Sequence, residues 1–171
     1  ARPTAETLHN FELGNKLTYN RFSFNTNVYY MLYDDQLVLT GEINDVGGAI
    51  RTNVENSYRL GLELVGGVKV TDWFSINANA TFSQNKIIDF VEGLDVYTNN
   101  FDYFGRVTID HGTTDIAFSP NVIAAAELIF NPFVSSEHDL ELALMSKYVG
   151  EQYIDNSSSA TSLLDDFWTN D

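Results

Sequence analysis

Three histidines and a surplus of carboxylates are the side chains of this chain with chemistry to offer. His9, His111 and His138 stand far apart, and cysteine is absent. Neither the paired spacing of a zinc site nor a thiolate site is therefore available. His9 and His138 fall at expected strand starts, whereas His111 falls in an expected loop and is a candidate for ligand contact. Asp34, Asp35 and Asp45, and further on Asp95, Asp102 and Asp110, supply the hard oxygen donors that calcium needs. None follows the EF-hand spacing. They read better as solvated acid, in keeping with a formal net charge of −15, a balance that repels nucleic acid. Among so many acids, Arg51 and Arg106 are the natural contacts for an anionic ligand, and Tyr97 and Tyr103 add rings to the same loops. Gly47-Gly48 and Gly66-Gly67 open no helix and so are not phosphate loops. The first pair suits a bend, and the second, inside a strand, suggests a bulge or else a close approach of another part of the protein, the bulge being preferred. No nucleophile–base constellation stands out, no metal site or cofactor is implied, and no enzyme is expected.

The elements that must position these residues are strands. Of the 171 residues 44% are apolar, and nine Tyr and twelve Phe stand against two Met, a composition that favours sheet. Period-two alternation marks six segments. They run from about Leu8 to Tyr19, Arg21 to Tyr33, Thr52 to Val70, Trp73 to Ile87, Pro120 to Asn131, and His138 to Val149. A further strand is expected to begin near Phe167-Trp168. In the third, Tyr58, Leu60, Leu62, Leu64, Val68 and Val70 alternate with Arg59, Glu63 and Lys69. Glu127, Glu141 and Lys147 likewise oppose aliphatic rows in the fifth and sixth. Tight turns at Asn20, Thr71-Asp72 and Pro132 alternate with long connections over 34–51, 88–119 and 150 onward, which hold most of the acid.

A sheet with one aliphatic face, one charge-bearing face, and connections alternately short and long reads as part of an antiparallel, up-and-down transmembrane β-barrel of the outer-membrane kind. Arg59, Glu63, Lys69, Glu127, Glu141 and Lys147 would then line the lumen. The aromatics at strand ends, among them Tyr19, Tyr30, Trp73, Phe74, Phe130 and Tyr148, would form interfacial girdles. Alternation alone also fits a soluble β-sandwich, which would bind carbohydrate through exposed rings such as Tyr97, Phe101 and Tyr103. Strand length separates the two. Soluble strands run to about 5–6 residues, and a tilted bilayer crossing takes at least about 9–11.

Several stretches resemble the C-terminal barrel region of TonB-dependent outer-membrane receptors of the Bacteroidetes type. They include Arg2-Pro3 with Glu6-Thr7-Leu8-His9-Asn10-Phe11-Glu12-Leu13-Gly14, Asn27-Val28-Tyr29-Tyr30-Met31, and Asp35-Gln36-Leu37-Val38-Leu39-Thr40-Gly41. Ile43-Asn44-Asp45-Val46-Gly47, Ser57-Tyr58-Arg59, Phe118-Ser119-Pro120-Asn121-Val122 and Ser146-Lys147-Tyr148-Val149-Gly150 follow in order. The resemblance implies a fragment: family members are barrels of about 22 strands with a plug. Residues 1–171 would be a partial segment of about six strands, without the plug or the final strand. It further implies residence in the bacterial outer membrane and three kinds of partner: lipid, the protein's own plug domain with TonB, and a small-molecule substrate. The implied activity is import of a scarce nutrient, with a ferric siderophore or other metal chelate preferred and a glycan second.

Overall fold

The computed structural model describes residues 3–43, 46, 48–134 and 138–171. Arg2, Asn44, Asp45 and Gly47, named above, lie outside them. The chain is nearly all antiparallel strand. β1 (Thr7–Tyr19), β2 (Phe22–Ile43), β3 (Ala49–Lys69) and β4 (Phe74–Tyr97) are joined as consecutive hairpins. β5 (Tyr103–Asp115) folds back on the far half of β4, and β6 (Val122–Val134) pairs with its near half. β7 (Asp139–Val149) follows β6. A small pair, β8 (Gln152–Tyr153) and β9 (Leu163–Leu164), brackets a short 3-10 turn, and β10 (Phe167–Asn170) then returns to pair with β7. The expected strand at Phe167-Trp168 is present. The result is one eight-stranded sheet in a single layer.

Register fixes the two faces. Leu60 lies between Tyr30 and Gln84, Leu62 between Val28 and Phe82, and Leu64 between Thr26 and Ala80. No second sheet covers this aliphatic face among the described residues, and Leu13 is 78% exposed. The sandwich expectation is thereby overturned, because its core face would have been buried. Rings bound the aliphatic band at both ends. Near the short turns Phe22 stacks on Phe24, and Trp73, Phe74 and Phe130 stack together. At the other end Tyr30 meets Tyr58, and Tyr148 meets Trp168. From Val68 to Tyr58 is ten residues, about 33 Å of strand at about 3.3 Å each. Tilted by about 35–45°, that is an apolar band about 25 Å tall, the height of an outer-membrane barrel's lipid belt.

The expected long loops over 34–51 and 88–119 are corrected. Both are largely strand, because β2 and β3 continue together well past the outer rings and β4 continues into the hairpin with β5. The period-two pattern hides this by slipping one residue at two aspartates in the left-handed region, Asp35 (φ 57°) and Asp89 (φ 52°). Aspartate tolerates this conformation better than most residues. Beyond each slip the inward set changes parity. Even-numbered Gln36, Val38 and Phe90 thus share a face with odd-numbered Ser57 and Ile87, and the Ser57 hydroxyl donates to Gln36 Oε1. Val38, Val54, Ile87, Phe90 and Ile116 form a small buried core there. The bulge expected at Gly66-Gly67 is also absent: Gly66 pairs with Phe24 and Ala78, Gly67 with Ser23 and Asn77, without a register shift.

Candidate functional site

The polar face of the sheet is built from asparagine–glutamate pairs. Asn27 donates to Glu63 Oε2 at 3.1 Å, Asn77 to Glu127 Oε2 at 3.0 Å, and Asn131 to Glu141 Oε2 at 3.1 Å. Each pair spans neighbouring strands, so the amide tethers the carboxylate without neutralising it. Lys69 and Lys147 lie on the same face, opposite Ser75 and Ala125. Arg59 is held more tightly, its Nη1 donating to Asn85 Oδ1 at 3.2 Å and to Ser119 Oγ at 3.1 Å. All six charged residues expected on one face are there. Among the described residues no ion pair joins them to one another. Glu12, Glu63, Glu127 and Glu141 are balanced in sign by Lys16, Arg59, Lys69 and Lys147, so the chain's surplus acid lies beyond the spanning strands. A hollow of about 280 Å³ sits in this face where small side chains meet, lined by Ser23, Val65, Gly67, Asn77, Ala125 and Met145 among others.

The outer end carries the second cluster. A recess of about 100 Å³ is lined by Thr40, Thr52, Phe90, Val91, Glu92, Gly93 and Arg106. Arg106 lies flat across Gly93, donating to its carbonyl at 3.2 Å and reaching Asp95 at 3.5 Å. A Cβ on Gly93 would come within 2.8 Å of the guanidinium carbon, so glycine is what admits the arginine. His111 stacks on Phe90 and places Nε2 2.9 Å from Glu92 Oε2, both side chains mostly buried. Arg106 thus lines the recess, and His111 braces two of its other lining residues, Phe90 and Glu92. Tyr97 and Tyr103 are elsewhere. They touch edge to face at the exposed tip of the β4–β5 hairpin, two residue pairs beyond the Asp95–Arg106 pair. Arg51 is exposed on β3 opposite Leu39.

Sequence reasoning did not find the residues that knit this end together. Lys86, expected on the apolar side, sits 2.7 Å from Asp115 Oδ1, with both side chains largely buried. Asn156, buried to 2% exposure, donates to the Leu39 carbonyl at 2.6 Å and accepts from the Ala117 amide at 2.7 Å. Its partners lie 117 and 39 residues away, and no local pattern encodes such a bond. Asp155 has its carboxyl below the ordinary range. Desolvation pushes it upward, but hydrogen bonds from the Ser157 hydroxyl and amide and from Ser162, with the nearby charge of His111, outweigh that push.

Residues 4–131 match the family described as "Outer membrane protein beta-barrel family". The chain belongs to the outer membrane β-barrel family. Its place is therefore the outer membrane, as the ring-bounded apolar band requires. Solved structures share the barrel's fold. The ferric yersiniabactin uptake receptor FyuA of Yersinia pestis is 16% identical with a TM-score of 0.65, over 97% of this chain and 22% of that one. The siderophore receptor PiuA of Acinetobacter baumannii is 15% identical with a TM-score of 0.66, over 95% and 21%. The copper transporter OprC is 12% identical with a TM-score of 0.63, over 99% and 23%. This chain thus spans between a fifth and a quarter of the length of each of these chains. No curated protein is significantly similar to it in sequence.

Proposed function

We propose that this barrel segment is part of the wall of a TonB-dependent active transporter that imports a small metal chelate, with a ferric siderophore as the preferred cargo. The observation that carries the reading is the two-faced single-layer sheet. Its aliphatic face spans about 25 Å between rings, and its opposite face holds tethered carboxylates and lysines suited to a polar lumen. The fold-level likeness to two siderophore receptors and to transporters of copper and iron supports the same reading. In this account Glu63, Lys69, Glu127, Glu141 and Lys147 line the path or meet a plug. Arg59 stiffens the wall through Asn85 and Ser119. Arg51, Arg106, His111, Tyr97 and Tyr103 stand at the outer end, where cargo arrives. The Bacteroidetes-type assignment belongs to this proposal as well.

Uptake of radiolabelled ferric chelates by cells with and without the intact gene tests it. Loss of energy-dependent iron accumulation in the deletion strain is expected. Unchanged metal uptake together with lost growth on an oligosaccharide would replace the chelate by a glycan.

A further inference from the structure

The connection between β7 and β10 is folded in a way that its role as a connection does not require. Residues 152–164 satisfy their own hydrogen bonds. The Ile154 amide donates to the Ser162 carbonyl at 2.9 Å, and Ser162 N to the Ser159 carbonyl at 3.0 Å. Ser157 donates to Asp155 through both amide and hydroxyl, and Ser159 caps the 3-10 turn through Thr161 N. The segment therefore holds hydrogen bonds within itself as well as those it makes to the rest of the chain. Its docking is polar. Asn156 bridges Leu39 on β2 to Ala117 beyond β5, the Asp115 amide donates to Ser158 Oγ at 2.7 Å, and the Phe118 amide donates to the Tyr153 carbonyl at 2.8 Å. The buried apolar core beside it, Val38, Val54, Ile87, Phe90 and Ile116, includes none of its residues.

Hydrogen bonds of this kind can be exchanged for bonds to water at small net cost, whereas an apolar seat cannot. We propose that residues 152–164 are a preassembled flap at the outer end of the barrel, latched by Asn156, which swings off β2 and the β5–β6 connection as one rigid body. When docked it ties the β2–β3 hairpin to the end of β5. When undocked it leaves those elements joined through β4 and through the buried core of Val38, Val54, Ile87, Phe90 and Ile116. Its motion is independent of which cargo the barrel takes.

Residue-resolved hydrogen exchange on the full outer-membrane polypeptide in lipid bilayers tests the flap. A rigid swing exposes the docking amides of Asp115, Ala117 and Phe118 and leaves the internal amides of Ile154 and Ser162 protected. The Ile116 amide, which donates to the Asn85 carbonyl at 3.0 Å, should stay protected between two fast neighbours. The three docking amides are expected to exchange with one common rate, at least tenfold above that of Ser83 in the sheet. Asn156→Ala removes both bonds of the latch and should raise the exchange of the Asp115 and Phe118 amides tenfold or more, each bond being worth roughly 1 kcal/mol net, without moving Ile154 or Ser162. Asn156→Asp, which keeps the acceptor for Ala117 and loses the donor to Leu39, should fall between. Docking amides as slow as Ser83 in the unaltered protein would overturn the proposal. So would Ile154 and Ser162 exchanging in step with the docking amides, since the segment would then unravel rather than swing.

Discussion

Gly61→Ala is the substitution whose cost the structure specifies most closely. Gly61 pairs with Tyr29 across β2 and β3, and the Tyr29 ring lies over it on the polar face. A Cβ built there would meet ring carbon Cε1 at 2.6 Å and overlap Cζ more closely still. Ordinary carbon contacts are about 3.5–4.0 Å, so the ring must retreat by roughly 1 Å. On its other side Tyr29 faces Glu12 of β1, so the displacement is passed to a third strand. Overpacking in a closed core costs about 1–3 kcal/mol; the half-exposed Tyr29 ring can give way, so the low end, about 1 kcal/mol, is expected. Gly66→Ala is the control, because its Cβ would meet Phe24 Cδ2 at 3.5 Å and Ser23 O at 3.8 Å, and it should change stability by less than about 0.5 kcal/mol. In a Tyr29→Ala background the Gly61→Ala cost should vanish, a coupling of about 1 kcal/mol or more. Guanidinium unfolding of the full polypeptide refolded in lipid vesicles measures the unaltered protein and the four variants. Equal midpoints for Gly61→Ala and Gly66→Ala, or additive effects in the double variant, would refute the seat-and-ring account.

Three further outcomes are expected. Leu62→Lys places a charge on the lipid side near mid-membrane at a cost of about 2–4 kcal/mol, so it should impair barrel insertion much more than Glu63→Lys; equal heat-modifiability of the two in outer membranes would contradict the face assignment. Lys86→Met leaves Asp115 largely buried without its cation and should lower stability by about 1–3 kcal/mol, most of it recovered in Lys86→Met with Asp115→Asn, as a thermal unfolding series would show. Asp155 has a folded pKa below its ordinary value of 3.8, so its contribution to the flap is full above that value and is lost as pH falls through the lower folded one; Asp155→Asn should remove this loss from the exchange rate of the Ile154 amide below pH 3.8, and an identical pH profile in the variant would exclude Asp155 as its source.

The spanning part of the fold was legible because lipid on one side and polar groups on the other impose strict alternation. Leu60, Leu62 and Leu64 against Arg59 and Glu63 place β3 without ambiguity. Outside the rings that constraint lapses. One left-handed residue at Asp35 and another at Asp89 reverse the phase, and strands continuing beyond them read as acidic loops. The polar face was legible in its charges but not in its partners, since Asn27, Asn77 and Asn131 acquire meaning only through cross-strand register. Of the outer-end candidates, Arg106 lines the recess and His111 contacts its lining residues Phe90 and Glu92 because β4 and β5 pair, a hairpin whose irregular register and two left-handed glycines erase the strand pattern. Asn156 was invisible for a different reason. Its bonds join segments far apart in the chain, and a buried asparagine looks locally like any turn residue.

The central claim is that the aliphatic face meets lipid and the charged face meets water. The chain has no cysteine, so single substitutions give unique spin-label sites within it. Labels at Leu13, Leu62 and Leu144, in the full polypeptide in bilayers, should collide with oxygen and be shielded from a water-soluble nickel chelate, and labels at Glu63, Glu127 and Lys147 should show the reverse. Nickel accessibility at the leucine positions equal to that at the charged ones would contradict the account.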